Sequence, residues 1–370
     1  MKRVLEIFGE PISIGGQESY VFNQIEKMNL DGLQIDCLTP YRCESELQRA
    51  RVNDWGGKVY ELRLPFKPGG SRYYIRRPLS TFLSSHKYDL IHIHSGSTSM
   101  LALSSYVSKK ATGAKVIVHS HNAAQSMTIK KRLIRWLSSF EMESADVFCA
   151  CSEEAAMSKF LPRVCNSVKI MHNGIDSRNF QESFSQRYYV RSKYLTDDTT
   201  FVLGHVGRMA VEKNHPFILQ VFSELLDIKP NSELWFIGDG PERAFIEKQV
   251  DHMKLNNRVR LFGSRSDVES FMAAFDGFIF PSLFEGLPIS LLEAQASGLH
   301  CFTNELVIHG CDIDKELVHG LSLNDDPGLW ARVISSECTN RAPGNSCLFE
   351  AAGFDVAHSA KELEHLYRCL

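Results

Sequence analysis

Two carboxylates, Glu285 and Glu293, stand with seven residues between them in a stretch that also holds Gly286, Leu287 and Pro288. An apolar run ends at Pro281, a short loop follows, and the pattern predicts a helix starting near Pro288. Proline suits the first helical position, because the N–H it lacks has no helical partner there. The free N–H groups of that first turn, with the positive end of the helix dipole, suit a phosphate. Gly286 lets the backbone come close to such a group. Carboxylates beside an anion site repel the anion, so Glu285 and Glu293 make better sense as acceptors for sugar and ribose hydroxyls. The plainer reading is one glutamate balancing the helix dipole and another on an ordinary helix face.

Cations occur in a second loop, residues 205–216, where Arg208 and Lys213 are five residues apart. Both can reach one anionic group, Arg208 with a planar fork and Lys213 with a mobile point charge. On a departing phosphate they would stabilise developing charge; otherwise they are two surface cations. Ile237-Gly238-Asp239-Gly240 opens like a dinucleotide fingerprint, but Arg243 stands at the third glycine position, which argues against a nicotinamide cofactor. Gly263 begins a loop to Asp267 whose backbone could read a nucleobase edge. Gly15 and Gly16 follow the first strand and its loop, where a diphosphate could approach. Alternation puts His92 and His94 on one strand face, and His119 and His121 likewise. No closely placed carboxylate or cysteine completes a metal site, so none is expected. One histidine of the second pair, His121 or its rival His119, is expected to reach the ligand, with the others held in the core.

The elements that must position these groups follow from short apolar runs alternating with longer helical patterns, the mark of an α/β fold with parallel sheets. Expected strands are 4–8, 35–38, 90–94, 115–118 and 147–150, then 201–207, 234–238, 259–263, 277–281 and 299–302. A polar stretch at 176–200 reads as a linker leading into the second domain. The expected division is 1–182, 183–345 and a helical segment 346–370. Two doubly wound sheets would face a cleft, with ligands at the carboxyl ends of the strands.

A chain of 370 residues exceeds one ordinary core, which agrees with two domains. Hydrophobic residues at 44% and charged residues at 23% exclude a disordered or fibrous chain. A net charge of -3 gives no electrostatic reason to expect nucleic acid as a partner. No apolar run is long enough to span a membrane, and the N-terminus is too soon polar for a signal peptide. The ten cysteines include no C-x-x-C pair and read as small buried thiols of a reducing cytoplasm. Charge is uneven: residues 1–182 hold 24 Lys and Arg against 18 Asp and Glu, the remainder 17 against 26. Within the basic half, residues 130–137 interleave basic and apolar side chains. That segment is either a helix packed on its own sheet with a solvated basic face, or one that lies on an anionic membrane surface.

Gly15-Gly16-Gln17-Glu18, the Asn-Gly-Ile-Asp turn from Asn173 to Asp176, Gly207-Arg208 with Lys213, and the Glu285/Glu293 pair together resemble the retaining glycosyltransferases of GT-B architecture, family four. Residues around His121, 320–330 and 284–298 look most like the branch that builds bacterial capsular polysaccharides and exopolysaccharides. The resemblance implies two Rossmann-like domains, an N-terminal acceptor-side one and a C-terminal one for a nucleotide-sugar donor, with UDP the most frequent base. It implies Arg208 and Lys213 on the diphosphate, helped by the backbone of Gly16, Gly286 and Leu287, with Gly15, Gly263 and Pro288 also among the donor-binding residues. Glu293 would take the ribose, Glu285 the transferred sugar, and His121 would stand near the reacting centre. The implied reaction retains configuration, needs no metal or cofactor, and extends a glycan or lipid-linked acceptor, with peripheral contact at the inner membrane face. A C-terminal helix crossing back to the first domain is implied for 359–370. The sequence departs from the family pattern at Asn122, where glycine is usual, and after Gly298, where the chain is bulkier and more polar. Two other readings stand beside this one: a non-catalytic nucleotide-sugar-binding partner of another transferase, and a sugar-nucleotide epimerase or phosphorylase of the same architecture.

Overall fold

The computed structural model describes every residue except Ile14, Pro68, Gly69, 122–128, Asn166, Gly286, His309, Asn340 and Ala342, and omits the side chains of 129–131. The chain divides into two compact units, Met1–Gly174 with Val356–Leu370, and Ile175–Asp355.

Among the described residues the first unit holds a parallel sheet of β1 (Lys2–Phe8), β2 (Leu33–Thr39), β3 (Val59–Glu61), β4 (Leu90–Ser95), β5 (Lys115–Ser120), β6 (Val147–Ala150) and β7 (Lys169–Ile170). Their spatial order is β3-β2-β1-β4-β5-β6-β7. The second unit holds β8 (Phe201–Val206), β9 (Ser232–Ile237), β10 (Val259–Leu261), β11 (Gly277–Phe280), β12 (Cys301–Asn304) and β13 (Val318–Leu321), ordered β10-β9-β8-β11-β12-β13. The strands are continuous apolar runs because helices cover both faces of each sheet. In each sheet the order reverses beside its first strand, between β1 and β4 and between β8 and β11. In open α/β sheets ligands bind at such a switch point, at the carboxyl ends of the strands.

Every expected strand is present within two residues at its start. Three were not anticipated: β3 and β7, of three and two residues with half-exposed or exposed side chains, and β13. None of the three has a fully buried side chain, so each lacks the buried apolar run by which the other strands are read.

The polar stretch 176–200 is not a linker. It forms the helices Ser177–Glu182 and Arg187–Lys193 with a 3-10 turn between them, packed on the helix Val268–Ala274. Arg191 is buried, donating to the carbonyls of Ala274 and Thr200 and pairing with Asp276 at 2.6 Å, while Arg187 donates to the Phe275 carbonyl. Cations here satisfy orphan carbonyls at a helix end.

The second unit therefore starts at Ile175, whose N–H donates to the Phe354 carbonyl at 2.8 Å, and not at 183. It also runs on to Asp355 and includes the helix Ser346–Ala351, which was expected beyond it. The helix Val356–Cys369 belongs to the first unit and packs on the helix Gly16–Lys27. Its Ala360, Leu363, Leu366 and Tyr367 are buried there. Each large apolar side chain so covered contributes about 1.5–3 kcal/mol. Gly174 permits this seat, since a Cβ at that position would lie 2.7 Å from the Val356 backbone.

All ten cysteines are free, and most are buried; Cys347 and Cys369 are exposed. Among the described residues no helix is long and apolar enough to cross a membrane.

Candidate functional site

In the second unit the two motif loops flank the switch point, one after β8 and one after β11. One backbone and one side-chain bond hold them together: the Leu283 N–H donates to the Glu212 carbonyl at 2.8 Å, and the Asn214 side chain donates to the Pro281 carbonyl at 3.3 Å. Asn214 sits in the left-handed region at φ 56°, which asparagine tolerates better than most residues. Lys213 Nζ meets Glu285 Oε1 at 2.6 Å, with the ammonium 4.6 Å from the Phe280 ring centre. Arg208, in contrast, is exposed and makes no ion pair with another described residue. Lys213 and Arg208 therefore differ in their resting state: one cation is already neutralised and the other is open.

The helix expected near Pro288 runs Ile289–Ala296, with Pro288 as its cap residue and not its first helical one. Glu293 lies in its second turn, half-buried, and its carboxylate accepts no hydrogen bond from a described residue. Burial, reinforced by the neighbouring Glu269, pushes its carboxyl up to about 7. Leu287 is half-buried and Pro288 buried, while Gly286 lies outside the described residues.

Gly238 and Gly240 are explained by packing of the loop after β9. A Cβ on Gly238 would fall 2.0 Å from the Gly207 carbonyl oxygen, and one on Gly240 2.3 Å from that of Met209. These glycines let this loop press against the Arg208 loop, and Met209 N–H donates to the Asp239 carbonyl at 3.0 Å. Gly263, at φ +70°, accepts from the Gly238 N–H at 2.8 Å. In the same loop Arg265 is spent on a two-point pair with Asp267.

In the first unit Gly15 caps the helix Gly16–Lys27, and Gly16 is exposed with nothing within 4 Å of where its Cβ would be. Glu18, buried beneath them, has its carboxyl pushed up to about 7 by desolvation.

The four histidines lie on the sheet face that the helices Gly16–Lys27 and Val356–Cys369 cover. His121 Nε2 is 2.9 Å from His94 Nδ1, and His119 Nδ1 is 3.3 Å from His92 Nε2. His119 is thus built into the sheet interior, whereas His121 follows the end of β5. The expectation that no carboxylate stands close to them is corrected. Glu6 of β1 pairs in register with His92 and places Oε2 2.7 Å from His94 Nε2. Tyr367 of the last helix donates to Glu6 Oε1 at 2.6 Å and contacts His92 Nδ1 at 2.7 Å. Sequence reasoning passed over Glu6 although a lone carboxylate inside an otherwise apolar strand is itself a signal, since a buried acid needs partners. Among the described residues, His92, His94 and His119 also bring one ring nitrogen each within 4.8 Å of the others, a spacing that could hold a metal ion.

On the helix Ile129–Met142, packed on the helix Thr98–Ala111, the side chains of Leu133, Ile134, Trp136, Leu137 and Phe140 are exposed. Arg132 is exposed on the same helix.

Comparison with known proteins bears on the family and the fold. The family description "Glycosyl transferase 4-like domain" matches residues 15–158, and "Glycosyl transferases group 1" matches residues 200–339. The "Putative glycosyltransferase EpsF" of Bacillus subtilis is 28% identical over 99% of this chain and 96% of its own. An Escherichia coli protein named UDP-Gal:alpha-D-GlcNAc-diphosphoundecaprenol alpha-1,3-galactosyltransferase is 25% identical over 78% of this chain and 77% of its own. Among solved structures, Anabaena HepE in complex with UDP and glucose superposes with a TM-score of 0.76 at 18% identity, covering all of both chains. With a glycosyl transferase domain matched in each parallel-sheet unit, the chain is a glycosyltransferase of GT-B architecture.

Proposed function

We propose that the chain is a retaining, metal-independent transferase that moves a sugar from a UDP-sugar onto a lipid-linked glycan in polysaccharide synthesis. The observation that carries the reading is the set of groups at the second unit's switch point. These are an open cation (Arg208), a cation held in reserve by a carboxylate (Lys213 on Glu285), and an uncommitted carboxylate on the adjoining helix (Glu293). A nucleoside diphosphate presents what each lacks. Its phosphates engage Arg208 and draw Lys213 away from Glu285, and the released Glu285 accepts from hydroxyls of the transferred sugar. Glu293 accepts from the ribose. Backbone groups of Gly15, Gly16, Gly263, Gly286, Leu287 and Pro288 complete the donor contacts, and His121 is the first unit's contact with the sugar.

As the glycosidic bond breaks, charge grows on the departing phosphate, where the two cations gain most. The acceptor attacks from the face the phosphate leaves, and the phosphate takes its proton, so configuration is retained without a divalent ion. A UDP donor and a lipid diphosphate acceptor both appear in the name of the Escherichia coli relative. The exposed apolar side chains of the helix Ile129–Met142 suit the peripheral membrane contact at the cytoplasmic face that such an acceptor requires.

The test is a thermal-shift panel of UDP, GDP, ADP and TDP with their common sugars. A ligand at a hundred times its Kd adds about 2.7 kcal/mol to the native state, so UDP and one UDP-sugar should raise the midpoint while the other bases leave it in place. Arg208→Ala should then lower kcat/KM by about 10²–10³. No shift with any nucleotide would sink the reading, and an activity lost to chelator and restored by a divalent ion would overturn its metal-free part.

A further inference from the structure

Glu6, His92, His94, His119, His121 and Tyr367 are all buried, and each lies within hydrogen-bond distance of the next. In order they run His119, His92, Tyr367, Glu6, His94, His121. The two ring nitrogens at the ends, His119 Nε2 and His121 Nδ1, are buried and have no partner among the described residues. A neutral imidazole carries one N–H and one bare nitrogen, so along such a row the direction of one bond sets the direction of the next.

Two features fix the direction. His92 Nδ1 faces the Tyr367 hydroxyl at 2.7 Å and also stands 3.6 Å from Glu6 Oε2. A lone pair there would meet carboxyl oxygen lone pairs, whereas an N–H is attracted to both oxygens. Glu6 is fully buried and, among the described residues, no Lys or Arg pairs with it, so it is held as the neutral acid. A carboxylic acid between a phenol and an imidazole directs its proton to the imidazole, much the stronger base. The Glu6 proton therefore sits on Oε2 and is donated to His94 Nε2, and Tyr367 donates to Oε1.

We infer that Glu6 and His94 are positioning residues that fix His121 as the Nδ1–H tautomer, making its free nitrogen a hydrogen-bond donor to an oxygen of the bound sugar and not a base. The inference rests on the proposed role of His121 for its ligand, and on the hydrogen-bonded row alone for the tautomer. Burial supports it, pushing the Glu6 carboxyl up to about 8 and His94 down to about 3, and holding the other three rings well below the usual histidine range. Every member is then neutral near pH 7. Among the described residues, Tyr20, Cys37, Cys149 and Cys151, whose thiol donates to the His121 carbonyl, also pack on this cluster, and burial keeps each of them neutral. The Lys2 ammonium reaches it only through the Tyr367 backbone carbonyl at 3.0 Å.

The experiment is two-bond proton–nitrogen NMR on ¹⁵N-histidine-labelled, ligand-free protein at pH 7, with the His121 signals assigned by their loss in His121→Gln. The expected result is a protonated Nδ1 and a bare Nε2 on His121. Glu6→Gln should keep that tautomer, because the amide donates to His94 and its oxygen still accepts from Tyr367. A bare Nδ1 on His121 in the unmodified protein would overturn the inference, whether Glu6 is ionised or the row runs the other way. So would zinc that binds the metal-free protein and shifts His92, His94 and His119, since the ion would take the nitrogens these bonds use. Adding a UDP-sugar separates the two claims. Movement of the His121 Nδ1 resonance supports the sugar contact. A nucleotide-induced rise in melting midpoint without that movement would overturn the contact and leave the tautomer result standing.

Discussion

Lys213 and Glu285 show how a resting site can hold charges that will later work separately. In the ligand-free chain each neutralises the other at 2.6 Å, so a phosphate must compete with Glu285 for the ammonium. Glu285→Gln removes that competition and also one acceptor for the sugar. A partly exposed pair of this kind is worth about 0.2–1 kcal/mol, so UDP should bind up to about fivefold tighter. The lost charged acceptor should meanwhile lower kcat by about 10–100-fold. Calorimetry and steady-state rates on one preparation check both, and a variant that binds UDP more weakly would show that Glu285 touches the nucleotide itself. These residues were legible because loop motifs are local: Arg208 and Lys213 are five residues apart, and Glu285 and Glu293 share one stretch. Glu6 was not, since its partners His94 and Tyr367 are contiguous with it only after the sheet has closed and the last helix has docked.

At the scale of elements, buried apolar strands announce themselves even at three or four residues, whereas β3, β7 and β13 have no fully buried side chain and so no apolar run to read. The stretch 176–200 misled for a different reason. Its polarity is real, but Arg187 and Arg191 are spent inside the fold on carbonyls and on Asp276, where composition reads them as solvent-facing. The helix Ile129–Met142 left two readings open, and its exposed Trp136, Leu137 and Phe140 are where the membrane contact proposed above is tested. Vesicles containing anionic lipid should therefore sediment the protein, and Leu137→Glu with Phe140→Glu should weaken that partition by at least about tenfold, given about 1.5–3 kcal/mol for each side chain buried. Melting midpoint and UDP binding should be unchanged. Equal sedimentation of the double variant would remove this helix from any membrane role.

For the whole molecule, the buried acids give stability a definite slope with pH. Glu6, raised to about 8, and Glu18 and Glu293, raised to about 7, hold protons more tightly when folded than when unfolded. Their contribution is complete below the unfolded value near 4.5 and is lost as pH rises through the folded values. Glu6→Gln carries no such proton, so its melting midpoint should gain on the unmodified chain between pH 6 and 9. The gain is about 2–4 °C for each kcal/mol in a domain of about 150–250 residues. Parallel curves would mean that Glu6 stays ionised in the fold. The helix Val356–Cys369 also has a consequence for how the molecule is made. It completes a core begun by the opening strands, yet a ribosome delivers it only after the whole of Ile175–Asp355, a delay of about 10–40 s at about 5–20 residues per second. Throughout that interval the nascent first unit offers a greasy groove along Gly16–Lys27, with the Glu6 acid and the His92 ring at its floor and no phenol to meet them.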